Sequence, residues 1–352
     1  MTGDRLLTPV ARRGRWLWPA LLAVGAAAII ANLSMGAFDV GPAKVVAILL
    51  DHLGIDIGVD FTPQEDSVVW SLRLPRLVLA FTVGAGLAAT GATLQGMFRN
   101  PLADPQIIGI SSGAALGAGV VLAIGPGVLG SLGGPLGGFA GALAVALIVY
   151  SLARYEGRTE VVNLVLTGVA VSAVASAAIG YLSVAVDTAR LQTALFWFLG
   201  SFTLATWDTA RPALLFVGLS LAWLPLYARR LNLLLLGEAE ARHLGVDIER
   251  VRIALLVVVA LGVGGAVAAA GIIGFVGLLA PHAVRLLTGP DHRRLLPASA
   301  VAGGVLVLVA DLAARTLASP VEIPVGLLTA LVGGPFFLWL LHRTRSEYGA
   351  WG

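Results

Sequence analysis

Cysteine is absent from this 352-residue chain, lysine occurs once, at Lys44, and Asp, Glu, Lys and Arg together make up only 12% of the residues. Without cysteine the chain can form no disulfide and no thiolate metal site. Soluble globular domains are typically about 25% charged. The low charge content therefore excludes a soluble enzyme, a nucleic-acid-binding protein and a disordered chain, and we expect no nucleic-acid partner.

The single lysine also excludes a nucleotide-binding P-loop. That motif needs Gly-Lys-Ser/Thr, so that the amine can reach the nucleotide phosphates, whereas Lys44 stands between Ala43 and Val45. The five histidines are scattered and form no paired metal motif. We expect no catalytic residue, metal or cofactor on this chain, so that ATP and Mg²⁺, if they drive its activity, bind a separate subunit.

Long apolar stretches take the place of charge. Nine stretches lack Asp, Glu, Lys and Arg: 16–38, 77–98, 105–153, 161–186, 191–207, 212–228, 253–284, 295–310 and 323–342. A spanning helix needs roughly 20 apolar residues, so 105–153 holds two helices. In 253–284 the glycines predict the end of one helix and the start of a short second one. The sequence therefore predicts an all-α polytopic membrane protein with about ten spans, if 191–207 is interfacial or re-entrant.

Loop charges predict the orientation. The N-terminal segment 1–15 carries four arginines, whereas 39–66 carries six acidic residues and one lysine. By the positive-inside rule the first segment is cytoplasmic and the second is outside. We therefore expect one transmembrane domain, 1–352, with both termini inside, a cytoplasmic loop at 229–252 and a cytoplasmic tail at 343–352.

Arginine at the outer end of a span opposes this charge bias. Arg73 and Arg76 are three residues apart, so both can point to one side of a helix. They could pair with Glu65, Asp66 or lipid phosphate, or an acidic protein could dock on them from outside. The residues alone favour neither explanation.

Two ionisable residues lie within a predicted span. Asp311 and Arg315 are four residues apart, so they can pair on one helix face. Ionisable residues inside the membrane are candidates for function.

Small residues recur at helical spacing in two spans. One stripe lies in span three and the other in span five: Gly109, Gly113 and Gly117; Gly168, Ser172, Ser176 and Gly180. Such stripes usually allow close helix packing in membranes. The two hydroxyl groups leave the lining of a pathway as the alternative for span five.

Two cytoplasmic connections carry further signals. In Arg99–Pro105, Asp104 before a proline predicts a helix N-cap. In the loop 229–252, Leu236–Gly245 predicts a short helix that ends at a glycine C-cap. A helix this short is marginal alone in water. It therefore indicates a docking partner, or else a helix on the lipid surface.

Several of these segments occur in a recognisable order: RLPR, GATLQGMFRNPLADPQIIGISSGAALGA, LGEAEARHLGV, GIIGFVGLLAPHAVR, DHRRLLPASA, ADLAAR and EIPVGLLTALVGGPFFLWLL. With them, residues 67–342 resemble the FecCD permease family, the membrane subunits of bacterial ABC importers for ferric siderophores, haem and cobalamin. The resemblance implies a homodimer of ten-helix subunits in the inner membrane. It also implies two ATPase subunits bound inside and one periplasmic binding protein docked outside.

The resemblance implies roles for particular residues. Binding-protein glutamates would meet Arg73, Arg76 and Arg315, which favours the docking explanation. Asn100 and Leu102 would contribute to a cytoplasmic gate. The family's second gate element precedes span five, where this chain departs from the expected small hydroxyl residues and has Thr159-Glu160-Val161-Val162. The helix ending in ARHLG would bind the ATPase through Gly237, Glu238, Arg242, Leu244 and Gly245.

The family favours an iron chelate as cargo. We expect haem, with a ferric siderophore or cobalamin as alternatives for the same architecture. An ion-coupled secondary transporter is the alternative from another class. It would need a carboxylate near the middle of the bilayer, and the one candidate, Asp311, has an arginine neighbour.

Overall fold

A computed structural model of the chain describes residues 16–36, 38–124, 130–155, 158–159, 161–184, 198–319 and 321–348. The basic N-terminal segment, Glu160, residues 191–197 of the predicted surface segment and the last four residues of the tail lie outside the described residues.

The described residues form helices joined by short segments. The helices are α1 (Leu17–Ser34), α2 (Pro42–Asp51), α3 (Pro63–Met97), α4 (Ile110–Ile124), α5 (Gly133–Leu152), α6 (Val161–Val184), α7 (Trp207–Leu235), α8 (Glu238–His243), α9 (Ile248–Ala270), α10 (Val276–Thr288), α11 (His292–Thr316) and α12 (Val325–Tyr348). Strands β1 (Arg154–Tyr155) and β2 (Arg158–Thr159) pair antiparallel between α5 and α6. The fold is therefore nearly all-helical, and this hairpin is its one departure, among the described residues, from the predicted class.

The helices have the length and composition of membrane spans. Seven of those described, α1, α3, α5, α6, α7, α9 and α11, are long and apolar enough to cross a bilayer. Three further helices, α4, α10 and α12, contain shorter apolar segments of 10–17 residues. The structure is that of a polytopic helical membrane protein.

Helix α3 begins well before the arginine motif that was expected to open it. Thr62 and Glu65 form a reciprocal capping box at its start, which satisfies two backbone N–H groups that would otherwise be unpaired. Residues Ser67–Arg73 then form a π-helical segment, in which Leu74 N–H donates to the carbonyl of Val69. This wider turn directly precedes Pro75, which cannot donate to the carbonyl four residues earlier and would clash with it in a regular helix.

Helices α9 and α10 are the two halves of an interrupted pair, as the glycines predict. Helix α9 ends at Ala270, and Gly271 follows with φ of 71°, a conformation that glycine adopts without strain. The backbone leaves the helix there, and Ser201 N–H donates to the Ala270 carbonyl at 2.9 Å. The neighbouring segment thus bonds a carbonyl at the break.

Glycines bring the helix backbones into contact. A Cβ at Gly91 of α3 would lie 2.1 Å from the carbonyl oxygen of Gly277 in α10. A Cβ at Gly117 of α4 would lie equally close to the carbonyl oxygen of Gly137 in α5, and Gly113 packs in the same way on Gly141. The packing interpretation of the span-three stripe is therefore confirmed for these two glycines.

We expect Gly91→Ala to destabilise the protein, because its methyl group would collide with backbone that cannot rotate away. Overpacking of this kind costs about 1–3 kcal/mol or more. The measurement is the thermal unfolding midpoint of purified protein in detergent. Gly218→Ala in α7 is the matched control, since a Cβ there meets no atom within 4 Å. A midpoint for Gly91→Ala at or above that of the parent protein would contradict the packing described.

Candidate functional site

Apart from the span-five stripe, the predicted site residues lie at two opposite ends of the helix bundle. Helix α7 starts beside α3, where the Trp207 indole N–H donates to the Trp70 carbonyl, and it ends just before α8. Its 29 residues span about 43 Å at 1.5 Å per residue. We call the end with Arg73, Arg76 and Arg315 the arginine end, and the opposite one the α8 end.

Arg76 lies between two carboxylates at the arginine end. Its Nη2 is 2.9 Å from an oxygen of Asp311 on α11, and its Nη1 is 3.0 Å from an oxygen of Glu322. Asp311 is fully buried, whereas the Glu322 side chain is 37% exposed. Glu322 also accepts a hydrogen bond from the Thr203 hydroxyl. Arg76 thus joins α3 to α11 and to the segment before α12.

Arg315 shares the same buried carboxylate. Its Nε is 3.4 Å from Asp311, as the four-residue spacing predicts, and its Nη2 donates to the Asn32 side chain at 2.8 Å. One buried carboxylate therefore faces two guanidinium groups. Arg76 also donates charge-assisted hydrogen bonds to Asp311, which are about twice as strong as neutral ones, whereas Arg315 contacts it as an ion pair.

Arg73 is also buried and bonded within the chain. Its guanidinium donates to the carbonyls of Leu33, Ser34 and Phe38, and the residue is only 8% exposed. Arg73 therefore fixes the turn that follows α1.

The structure brings the three arginines together, as predicted. A Cβ on Gly36 would lie 2.8 Å from Arg73 Nη2 and 3.6 Å from Arg315 Nη1. The suggested pairing of Arg73 and Arg76 with Glu65 or Asp66 is wrong, because these acids bond to Lys44 and His52.

Helix α8 lies at the opposite end and ends at a glycine, as predicted, and a second glycine precedes it. Gly237 and Gly245 have φ of 124° and 83°, and Val246 N–H donates to the Ala241 carbonyl, which closes the C-terminal turn. Ala241 is fully buried. The buried Ala241 side chain thus packs the short helix against the bundle.

The residues of α8 predicted to contact an ATPase differ in their exposure. The Arg242 side chain is 61% exposed, and Leu244 is similarly open to solvent. Glu238 instead bonds inward, with an oxygen 2.6 Å from Nη2 of Arg252 on α9. The Glu238 side chain therefore binds within the bundle.

Sequence reasoning missed two residues of these clusters, Arg252 and Glu322. Arg252 could have been found from helical spacing, because it shares the buried stripe of α9 with Ile248 and Leu255. Glu322 lies in an irregular segment 246 residues from Arg76, and no local pattern indicates their pairing.

The segment between α3 and α4 forms a compact turn at the α8 end. The Asn100 side chain accepts a hydrogen bond from Leu102 N–H at 3.0 Å, and both residues are half-buried. Asp104 accepts from Gln106 N–H at 2.8 Å, but α4 begins only at Ile110, so Asp104 stabilises a turn before the helix and the predicted helix N-cap is wrong. Burial raises the pKa of Asp104 to about 6.

The span-five stripe divides into two parts. Gly168 packs against the backbone of Ile107 and Ile108, and the Ser172 hydroxyl lies against Gly109. Ser176 and Gly180 are exposed on α6. The first part therefore packs within the subunit, and the second part belongs to an open face.

The last turn of α7, just before α8, is hydrogen-bonded to the start of α11. The Asn232 side chain donates to Asp291 at 2.6 Å, and this bond holds the pKa of Asp291 below its usual range.

Within the described part of the chain, no three His, Asp or Glu side chains lie close enough to hold a metal ion.

The structure is that of a polytopic membrane protein. It has interrupted helices, a buried arginine cluster at one end and a short glycine-bounded helix at the other. The model of the FecCD transport family matches residues 22–343, and the chain belongs to this family. It is a permease of an ABC importer.

Individual relatives support this family assignment. The chain is 44% identical to the hemin transport system permease protein HmuU of Yersinia pestis, over 79% of this chain and 84% of the relative. It is 46% identical to the cobalamin import system permease protein BtuC of Halobacterium salinarum, over 82% and 76%. A solved structure described as an inward-facing conformation of a metal-chelate type ABC transporter has a TM-score of 0.77 and 31% identity, covering 94% and 99% of the two chains.

We expect Asp311→Asn to lower stability strongly, because it leaves two buried guanidinium groups without their shared counter-charge. Breaking a buried ion pair on one side costs about 3–5 kcal/mol. Glu322→Gln is the matched control, since an exposed pair contributes about 1 kcal/mol or less. Thermal unfolding in nanodiscs measures both variants, and equal midpoints for the two would show that Asp311 is not the centre of the cluster.

Proposed function

We propose that this permease imports haem through the bacterial inner membrane. It crosses the membrane ten times, with both termini in the cytoplasm, so that the arginine end faces outward and the α8 end inward. The single observation that supports haem as the cargo is the 44% identity with a hemin permease over 84% of that protein's length. Cobalamin is the second candidate, because the cobalamin permease is 46% identical over 76% of its length. A ferric siderophore is the third.

The proposed assembly contains two copies of this chain, two ATPase subunits and one periplasmic binding protein. ATP and Mg²⁺ bind the ATPase subunits, and this chain has no nucleotide site. Family membership supports this assembly over an ion-coupled transporter. The geometry of Asp311 agrees, because its contacts with Arg76 and Arg315 leave it poorly placed to carry a coupling ion.

We assign the arginine end to the binding protein. Its acidic residues would meet Arg76 and Arg315, while Arg73 shapes the same surface by holding the turn after α1. Paired guanidinium and carboxylate groups give orientation as well as affinity. The exposed carboxylate of Glu322 is the local competitor for Arg76.

We assign the α8 end to the ATPase and the gate. Arg242 and Leu244 are the exposed contacts for the ATPase. Gly237 and Gly245 set the bounds of the helix, and Glu238 holds it to the bundle. The turn of Asn100 and Leu102 forms part of the cytoplasmic gate, and the hairpin β1–β2 before α6 forms the rest. The exposed face of α6, with Ser176 and Gly180, lines the pathway or packs on the second copy.

The transport cycle follows from these assignments. Loaded binding protein docks at the arginine end and delivers its cargo. ATP binding closes the ATPase dimer and moves α8, and that movement opens the pathway inward. ATP can shift the permease between states only by as much as it favours one of them.

For docking, we expect Arg76→Gln to weaken binding of the binding protein at least tenfold, because it removes a guanidinium from the docking surface. The measurement is the dissociation constant of binding protein for the permease–ATPase complex in nanodiscs, together with its unfolding midpoint. Arg211→Gln is the control, since Arg211 lies in the first turns of α7 at the same end and stacks on Trp207. A folded Arg76→Gln complex that docks like the parent would refute this assignment.

For cargo, we expect ATP-dependent accumulation of haem in proteoliposomes that hold the permease–ATPase complex, with binding protein outside and ATP inside. A ferric siderophore and cobalamin are offered in parallel. Accumulation of cobalamin or siderophore without haem would overturn the cargo but keep the importer. Uptake of a cargo without ATP would overturn the mechanism.

A further inference from the structure

Helix α8 is too short to hold its own position. It has six residues, and helices shorter than about 12 residues are marginal alone in water. Its apolar anchor is Ala241, and its ion-pair partner on another helix, among the described residues, is Arg252 of α9, through Glu238. Ala241 and this ion pair together therefore hold α8 against the bundle.

Arg252 is a buried charge whose partner lies on another helix. Its side chain is 6% exposed, and one helical turn before it on α9, Glu249 contacts Tyr150, near the end of α5. The Tyr150 hydroxyl donates to Glu249 at 2.9 Å. Removing one partner from a buried, hydrogen-bonded charge pair is costly. Helices α8, α9 and the end of α5 are thus linked by groups that separate only at high free energy.

The end of α5 leads directly to the hairpin. Tyr150 lies two residues before Leu152, the last residue of α5, and strand β1 begins two residues after Leu152, at Arg154. Arg154 pairs with Thr159, which lies two residues before the start of α6. The cluster therefore connects the helix that faces the ATPase with the hairpin at the mouth of the pathway.

We infer that Arg252 is a positioning residue that transmits the displacement of α8 through Tyr150 and Glu249 to the hairpin before α6. This rests on the proposed function. Its consequence is that breaking the link separates ATP hydrolysis from transport and leaves the subunits assembled.

The test uses the full permease–ATPase complex in proteoliposomes, with Arg252→Gln, Arg252→Lys and Tyr150→Phe. Three quantities are measured: the amount of ATPase that co-purifies, the rate of ATP hydrolysis, and cargo taken up per ATP. Arg250→Gln is the matched control, because Arg250 lies two residues away on α9 but is 89% exposed and pairs with Asp247.

For Arg252→Gln we expect normal co-purification, hydrolysis within twofold of the parent and at least a tenfold loss of uptake per ATP. Arg252→Lys should restore part of that loss, since it keeps the charge, and Tyr150→Phe should show a smaller loss. Arg250→Gln should match the parent.

Two results would overturn the inference. One is an unchanged uptake per ATP in both Arg252→Gln and Tyr150→Phe. The other is loss of the ATPase from the purified complexes of both variants, which would make the cluster an assembly element. Failure of the parent chain itself to bind an ATPase or to import cargo would instead refute the proposed function.

Discussion

Hydrocarbon offers the backbone no hydrogen-bond partner, and this constraint shapes the break between helices α9 and α10. A break in a membrane helix persists only where neighbouring protein satisfies the groups it frees. The end of α9 meets this requirement through Ser201. Glycine permits the close approach, because a Cβ at Gly200 would lie 2.3 Å from the Ile272 carbonyl oxygen.

Charges obey the same constraint. Asp311 is buried at the arginine end and faces Arg76 and Arg315, and Arg252 is buried at the α8 end and faces Glu238. The first cluster joins α3 and α11, which are distant in sequence, and the second joins the consecutive helices α8 and α9. Among the described residues, the protein therefore has one buried ion-pair cluster near each end and close glycine contacts between them. This arrangement suits helices that move as rigid groups.

The sequence predicted the features that depend on local chemistry. Glycines indicated the break after Ala270 and the end of α8, because only local backbone conformation is involved. The start of α3 was placed too late, since Glu65 and Asp66 looked like loop residues although they belong to a capped first turn. The partners of Arg76 and Arg252 were not predicted, because hydrophobic periodicity locates a residue on its own helix and says nothing of the helix it faces.

Coupling through Arg252 is tested most directly by following the hairpin side of the cluster during the ATP cycle. The chain has no cysteine, so Leu152→Cys, at the exposed last residue of α5, provides a single spin-label site in each copy. Electron–electron double resonance then measures the distance between the two copies, with and without ATP. We predict that ATP shifts this distance and that Arg252→Gln abolishes the shift while hydrolysis continues. A shift of equal size in both proteins would contradict the account.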